Sequence, residues 1–135
     1  IGRDEVLAGL GRPDRLILDA RTPEEYRGER VKPGTGPDYG AERYGHIPGA
    51  RNLFFREVLR EEDYTFRPPD ELRDVFEAAG ASPDQVREVV VYCRLSHRAS
   101  MLWFAMTQIV GWNHVRVYAG SWTEWGSIVG FPVGI

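Results

Sequence analysis

The residues best suited to chemistry lie in one short segment, VVVYCRLSHRAS, at residues 89–100. Cys93 is the only cysteine of the chain; it ends a β-branched run and precedes a polar loop that carries Arg94 and Arg98. If the backbone amides of this loop point inward, they form an anion-binding nest that the positive end of the next helix reinforces. Such a field, with two guanidinium groups, favours the thiolate form of a cysteine. The segment therefore predicts a nucleophilic thiol beside an anion site, in preference to a small buried hydrophobic residue.

The residues of this loop differ in how strongly they indicate function. Two cations in the first turn of a helix oppose its dipole, and a bound anion removes that cost, so we expect Arg94 and Arg98 to bind a negatively charged substrate. Ser96 is also a common type of helix cap. The sequence offers no obvious acid to orient His97 as a base, so a cysteine–histidine protease pair is a poor fit.

The elements that must position this loop begin with strands. Four segments have the composition of strands: 15–20, 50–54, 88–93 and 114–120. The aliphatic runs are continuous, a pattern typical of strands covered on both faces. Cys93 falls at the carboxyl end of one of them, which is the edge where open α/β sheets bind ligands. Trp122 and Trp125 follow the last strand, and we expect them to pack in the core.

Helical signals separate the strands. Thr22 and Glu25 form a capping-box pattern directly after the first strand. Apolar residues at helical spacing predict further helices within 68–80 and 99–111. The segment 27–45 is rich in glycine, proline and charge, and we expect it to be a long surface loop that lines the site. The alternation predicts an α/β fold with a mostly parallel sheet and helices on both faces.

Length and composition limit the class of protein. The 135 residues suffice for one domain with a real core, so we treat 1–135 as a single domain. A net charge of −3 gives no electrostatic footprint for nucleic acid or anionic lipid, and no apolar run is long enough to cross a bilayer. A lone cysteine forms no internal disulfide, and no Cys/His pair has zinc-ligand spacing. We therefore expect a cytoplasmic protein without nucleic-acid, membrane or metal partners.

Four separated motifs resemble the rhodanese family. They are LILDARTPEEY, GHIPGARN, VVVYCRLSHRAS and VRVYAGSWTEWGSIVGFPV, in family order between residues 15 and 133. The resemblance is to the catalytic C-terminal half of a tandem-domain thiosulfate sulfurtransferase, and it implies the three-layer rhodanese-like fold. Because the chain opens on Ile1 rather than Met, we expect an upstream rhodanese-like domain in the same polypeptide.

The resemblance also implies roles for individual residues. Cys93 would take the outer sulfur of a donor and hold it as a persulfide. The active-site loop would consist of Cys93, Arg94, Leu95, Ser96, His97 and Arg98. Arg21 matches an arginine that helps tandem sulfurtransferases to bind the thiosulfate anion, whereas Asp19 and His46 are expected to be structural. No metal or organic cofactor is required.

One residue departs from the family pattern. Loops of the thiosulfate type usually carry glycine at the fourth position, written CRxG, where this chain has Ser96. A side chain at a position that needs positive φ is strained, and it reshapes the pocket. Turnover and donor preference are therefore the properties that we expect this departure to change.

The predicted activity is transfer of sulfane sulfur from thiosulfate to cyanide or a thiol. Thiosulfate is a small dianion, and cations from Arg21, Arg94 and Arg98 suit its binding and the loss of sulfite. Phosphatase loops of related folds place five residues between cysteine and arginine, whereas four separate Cys93 from Arg98. Two alternatives remain: a 3-mercaptopyruvate sulfurtransferase, whose loop is usually less basic, and a non-catalytic rhodanese binding module, which usually lacks the cysteine.

Overall fold

The computed structural model describes residues 1–135, which are built around a four-stranded parallel sheet. The strands are β1 (Arg15–Asp19), β2 (Arg51–Asn52), β3 (Glu88–Tyr92) and β4 (Val115–Val117), and their spatial order is β2-β1-β3-β4. The central pair is in register from Arg15 opposite Glu88 to Asp19 opposite Tyr92. The predicted α/β fold with a parallel sheet is confirmed.

The two outer strands are shorter than the sequence pattern predicts. β2 ends at Asn52, although the Leu53 and Phe55 amides still donate to the carbonyls of Asp19 and Ala20 at 2.9 Å and 3.1 Å, and a 3₁₀ helix follows at Phe55–Val58. β4 ends at Val117, and the chain then turns into a helix after one further bond from Tyr118 to Val91 at 2.9 Å. Both shortenings bring loops to the carboxyl edge of the sheet.

Five α-helices surround the sheet: α1 (Arg3–Ala8), α2 (Pro23–Tyr26), α3 (Pro69–Ala78), α4 (His97–Phe104) and α5 (Ser121–Trp125). The capping box of α2 is confirmed, since the Thr22 hydroxyl accepts from the Glu25 amide at 3.2 Å and the Glu25 carboxylate accepts from the Thr22 amide at 3.2 Å. α4 continues as a π-helical segment, Ala105–Val110, which ends at Gly111 with φ +96°. The pattern did not predict α5.

Two apolar clusters cover the two faces of the sheet. Val89 and Val91 of β3 pack on one side with buried residues of α3 and α4, including Phe76 and Leu102. On the other side are Val90 and Tyr92 of β3, Val6 of α1, and Trp122 and Trp125 of α5. Successive β3 side chains thus enter opposite clusters, which explains the unbroken aliphatic run. The expectation that both tryptophans belong to the core is confirmed.

The long segment 27–45 has no regular secondary structure, but it is firmly held. The Arg43 guanidinium donates hydrogen bonds to four carbonyl groups, those of Trp125, Gly126, Ile128 and Phe131. His46 and Gly134 exchange backbone hydrogen bonds of 2.9 Å and 2.8 Å directly after the segment. The end of this loop is therefore fixed to the chain that follows α5. No helix combines the length and hydrophobicity that crossing a membrane requires.

Candidate active site

Cys93 directly follows β3 at the carboxyl edge of the sheet and is only 1% exposed. Its backbone is held by hydrogen bonds to the start of α5. The Cys93 amide donates to the Ser121 hydroxyl at 3.1 Å, and its carbonyl accepts from the Trp122 amide at 2.9 Å. The thiol is thus placed by two hydrogen bonds to a helix that lies 28 residues further along the chain.

The start of α5 supports the loop through residues that the sequence pattern did not single out. Ser121 is fully buried at φ +54°, and its hydroxyl donates to the Tyr118 carbonyl at 3.0 Å. Thr123 donates to the Arg94 carbonyl from both its hydroxyl, at 2.9 Å, and its amide, at 3.2 Å. The only available signal was the run GSWT after a strand, whose polar side chains are small enough to reach backbone groups.

The backbone amides of the loop are free. Those of Arg94, Leu95, Ser96, His97 and Arg98 donate no hydrogen bond within the chain, whereas the Ser100 amide begins the regular helical pattern by donating to the Ser96 carbonyl at 3.1 Å. Consecutive unpaired N–H groups ahead of a helix are a binding site for negative charge. The arrangement matches the predicted anion nest beside a thiol.

Ser96 adopts a positive φ, the conformation that glycine accommodates at the same position in CRxG loops. Its φ is +75° and its ψ is −9°, in the left-handed region that favours glycine. It occupies the cap position of α4, yet its side chain makes no capping hydrogen bond. Ser96 is therefore the N-cap residue of α4 by position, without the side-chain hydrogen bond that usually accompanies that role.

Arg94 lies against the long loop. Its guanidinium donates to the Tyr39 carbonyl at 3.3 Å and sits 5.7 Å from the centre of the Tyr39 ring, which Lys32 also approaches at 4.3 Å. No carboxylate pairs with Arg94, and its buried Nε has no hydrogen-bond partner. The segment 27–45 therefore contacts the predicted active-site loop at Arg94.

Arg98 has a carboxylate partner. Its Nη1 and Nη2 donate to the two oxygens of Glu25 at 2.8 Å and 3.0 Å, and its side chain is 17% exposed while that of Glu25 is fully buried. Burial alone lowers the pKa of Arg98, but the Glu25 hydrogen bonds and charge, with a smaller contribution from Cys93, raise it above its usual value. Arg98 is therefore a permanently charged group whose charge is matched by Glu25.

Arg21 forms a buried ion pair with Asp19. Its side chain is completely buried, where it donates to both Asp19 oxygens at 2.7–3.1 Å and to the Gly45 carbonyl at 2.7 Å. The guanidinium also lies 5.0 Å from the Trp122 ring centre. Burial is the largest single influence and lowers the pKa of Arg21, but the charge and hydrogen bonds of Asp19, with smaller contributions from Tyr92 and Glu25, together raise that pKa. The donor contact that the resemblance implies for Arg21 stays a prediction beside this buried ion pair with Asp19.

Asp19 and His46 are structural, as expected. Asp19 also accepts a hydrogen bond of 2.7 Å from the Tyr92 hydroxyl, and burial, followed by the Asp19 charge, raises the Tyr92 pKa well above its usual value. His46 stacks on the Tyr26 ring at 3.8 Å between centres, with its Nδ1 2.7 Å from the Tyr26 carbonyl. These contacts connect β1 to β3 and the turn at His46 to α2.

Leu95 and His97 occupy the outer side of the loop. Leu95 is 45% exposed, and the exposed His97 side chain forms no hydrogen bond with any group of the chain. No carboxylate orients the His97 ring, which agrees with the argument against a protease-type pair. The site therefore consists of a buried thiol, free amides and one unpaired cation, with an apolar residue at its mouth.

Comparison with known proteins identifies the family to which this arrangement belongs. Residues 2–128 match the model of the Rhodanese-like domain. The chain is 44% identical over 134 residues to the "Sulfur carrier protein TtuD" of Thermus thermophilus, covering 97% of this chain and 46% of that protein. It is 38% identical over 131 residues to a "Putative thiosulfate sulfurtransferase" of Saccharopolyspora erythraea, covering 97% of this chain and 45% of that protein. The chain thus spans about half the length of these relatives.

Solved structures agree with this match. The anaerobic ergothioneine biosynthesis enzyme from Chlorobium limicola, in complex with trimethyl histidine, superposes with a TM-score of 0.82 at 28% identity, over 98% of this chain and 31% of that one. Wild-type EanB superposes with a TM-score of 0.80 at 26% identity, over 98% and 30%. The fold, the family match and the thiol in its loop of free amides lead to one conclusion: the chain belongs to the rhodanese family.

Proposed function

We propose that this chain is a thiosulfate sulfurtransferase that carries sulfur as a persulfide on Cys93. The observation that carries the proposal is the set of unpaired amides at 94–98, beside a thiol at the end of β3. Such a loop stabilises negative charge both on the thiolate and on a sulfur added to it. The name of the Saccharopolyspora relative supports thiosulfate as donor, and that of the Thermus relative supports a sulfur-carrying role.

The proposed reaction has two half-reactions. The Cys93 thiolate attacks the outer sulfur of thiosulfate, a new S–S bond forms, and the old S–S bond breaks so that sulfite leaves with the electron pair. An acceptor, cyanide or a thiolate, then attacks the outer sulfur of the persulfide, and Cys93 leaves again as a thiolate. The cycle needs no oxidant, metal or organic cofactor, because the sulfane sulfur keeps its oxidation level throughout.

The other residues have supporting roles in this proposal. Arg94 supplies the uncompensated positive charge for the donor anion, and Arg98 holds the end of the loop through Glu25. Leu95 and His97 shape the mouth of the site. An upstream rhodanese-like domain and a cytoplasmic location, in keeping with a lone reduced thiol, stay predictions beside it.

Intact mass measurement tests the proposal directly. The protein is weighed before and after incubation with thiosulfate, and the Cys93→Ser variant is treated in parallel. We expect the wild type to gain the mass of one sulfur atom and to lose it on addition of cyanide, with formation of thiocyanate. Thiocyanate formation by the Cys93→Ser variant would overturn the proposal. So would the absence of any sulfur gain in both the wild type and the Ser96→Gly variant, and that result would favour a binding module.

A further inference from the structure

Glu25 is a buried carboxylate that does more than cap α2. It is fully buried, and its Oε1 accepts hydrogen bonds from the Thr22 amide and hydroxyl at 3.2 Å and 3.0 Å. Oε1 and Oε2 also accept hydrogen bonds from Arg98, which is 73 residues away in the chain. A capping box needs none of this second interaction, because Thr22 alone completes it.

The pairing with Glu25 changes the charge of the site. Three arginines are near Cys93 in sequence or motif, and two of them are matched by carboxylates: Arg21 by Asp19 and Arg98 by Glu25. Arg94 has only a carbonyl and an aromatic ring as partners. Of these three arginines only Arg94 is uncompensated, whereas the loop sequence alone indicates two free cations, Arg94 and Arg98.

The number of uncompensated charges matters for the choice of donor. In a partly buried site, the interaction of a fixed charge with a ligand scales with the ligand charge and is weakly screened. A buried carboxylate behind Arg98 therefore disfavours a dianion such as thiosulfate about twice as strongly, in free energy, as a singly charged donor such as 3-mercaptopyruvate. Charge on Glu25 lowers the preference for the dianion.

We propose that Glu25 is a specificity-determining residue, which cancels the charge of Arg98 beside Cys93 and so shifts donor preference from doubly charged toward singly charged sulfur donors. This inference rests on the proposed sulfurtransferase function. It differs from a structural role for the ion pair, in which the loss of either partner would damage the site in the same way for every donor.

Charge-changing variants separate these two roles. We compare the wild type with Glu25→Gln, Arg98→Gln and the double variant, and measure kcat/KM for thiosulfate and for 3-mercaptopyruvate. Glu25→Gln is expected to raise the thiosulfate to mercaptopyruvate ratio by about threefold to tenfold, and Arg98→Gln to lower it by a similar factor. The double variant restores the net charge and is expected to give a ratio between those of the single variants.

A matched control is Glu24→Gln, which removes the neighbouring carboxylate. Glu24 has 53% of its side chain exposed and lies 3.9 Å from the exposed Arg27, so its charge is screened by solvent. We expect the donor ratio of this variant to equal that of the wild type. The proposal is overturned if Glu25→Gln and Arg98→Gln shift the donor ratio in the same direction. It is also overturned if neither variant shifts that ratio.

A second measurement does not depend on sulfur transfer. The alkylation of Cys93 by iodoacetate, an anion, is compared with alkylation by neutral iodoacetamide, so that the burial of the thiol affects both rates and cancels in their ratio. The ratio should rise in Glu25→Gln and fall in Arg98→Gln. If these shifts occur in a protein that gains no sulfur from thiosulfate, the proposed function fails and the charge assignment stands; unchanged ratios in an active protein give the opposite result.

Discussion

The hydroxyl of Ser121 accepts a hydrogen bond from the backbone amide of Cys93 at 3.1 Å and donates one to the carbonyl of Tyr118 at 3.0 Å. Both Ser121 and Cys93 are buried, so no solvent molecule replaces either bond without a local opening of the structure. The nucleophile of the proposed reaction is thereby connected to the turn between β4 and α5.

Ser121→Ala should destabilise the protein. The substitution leaves the buried Cys93 amide without an acceptor while keeping the positive φ of residue 121, so we expect the free energy of unfolding to fall by about 1–3 kcal/mol. Urea unfolding measures this change. Ser127→Ala is the control, because Ser127 is exposed, and a change below about 0.5 kcal/mol is expected there. Equal effects in the two variants would contradict the role assigned to Ser121.

Ser96→Gly should raise both stability and the rate of sulfur loading. Glycine adopts the φ of +75° without the steric cost that serine bears, so a gain of up to about 1 kcal/mol in unfolding free energy is expected. Ser96→Ala tests the hydroxyl separately. It should unfold like the wild type, since the Ser96 side chain makes no capping hydrogen bond that alanine would remove. Thermal unfolding and the time course of mass gain distinguish these results.

Asp19→Asn should be among the most damaging single changes. It leaves the guanidinium of Arg21 buried without a counter-charge, and loss of one partner of a buried pair costs about 3–5 kcal/mol. Asp84→Asn, at an exposed position, serves as the matched control and should change stability by less than about 0.5 kcal/mol. Chemical denaturation at neutral pH gives both values.

Arg21→Met tests the structural assignment of Arg21 from the other side. We expect a loss of stability with the KM for thiosulfate in the folded fraction unchanged within about twofold, because Arg21 is fully buried in its pair with Asp19. A large rise in the KM for thiosulfate, with the stability of the wild type retained, would instead show that Arg21 binds the donor.

Stability should fall at alkaline pH. Burial, followed by the charge of a nearby carboxylate, raises the pKa of Tyr92, and burial with the Glu124 hydrogen bond raises that of Tyr118. Below about pH 10, the pKa of an unfolded tyrosine, both states keep these protons and the stabilisation is complete. Above it the unfolded chain releases protons that the folded chain retains, so the free energy of unfolding decreases as pH rises toward the folded values.

Unfolding curves between about pH 8 and pH 11 measure this slope. Tyr92→Phe removes one of the titrating groups, so its unfolding free energy should depend less on pH in this range, although it starts lower because the bond to Asp19 is lost. Tyr64→Phe is the control at an exposed tyrosine and should keep the wild-type slope. A steeper slope in Tyr92→Phe would contradict the raised pKa.

The central strands, the three layers and the position of Cys93 were predictable because each depends on local pattern. Val89, Val90 and Val91 have the composition of a strand buried on both faces, and Cys93 directly follows that strand. The sequence pattern missed α5 because this helix begins at a serine with positive φ. Its tryptophans are buried, but its apolar residues do not recur at helical spacing.

The partners of the arginines were not predictable in the same way. The DAR motif shows Asp19 next to Arg21 in sequence, but only the burial of both side chains decides that the carboxylate takes the guanidinium. The link between Glu25 and Arg98 joins two residues 73 positions apart, which no local pattern reveals. The charged residues of a loop can be identified from the sequence. Which of them are paired with a carboxylate depends on the tertiary structure.

The enclosure of Cys93, at 1% exposure, also determines which molecules can reach its sulfur. A disulfide requires two Cα atoms within about 7 Å of each other, so a second copy of the chain would have to approach this buried residue closely to form one. We therefore expect air oxidation to leave the protein unlinked. A sulfur taken from a donor extends the side chain by about 2 Å. An acceptor consequently meets the transferred atom first, and the sulfur of the cysteine stays shielded behind it.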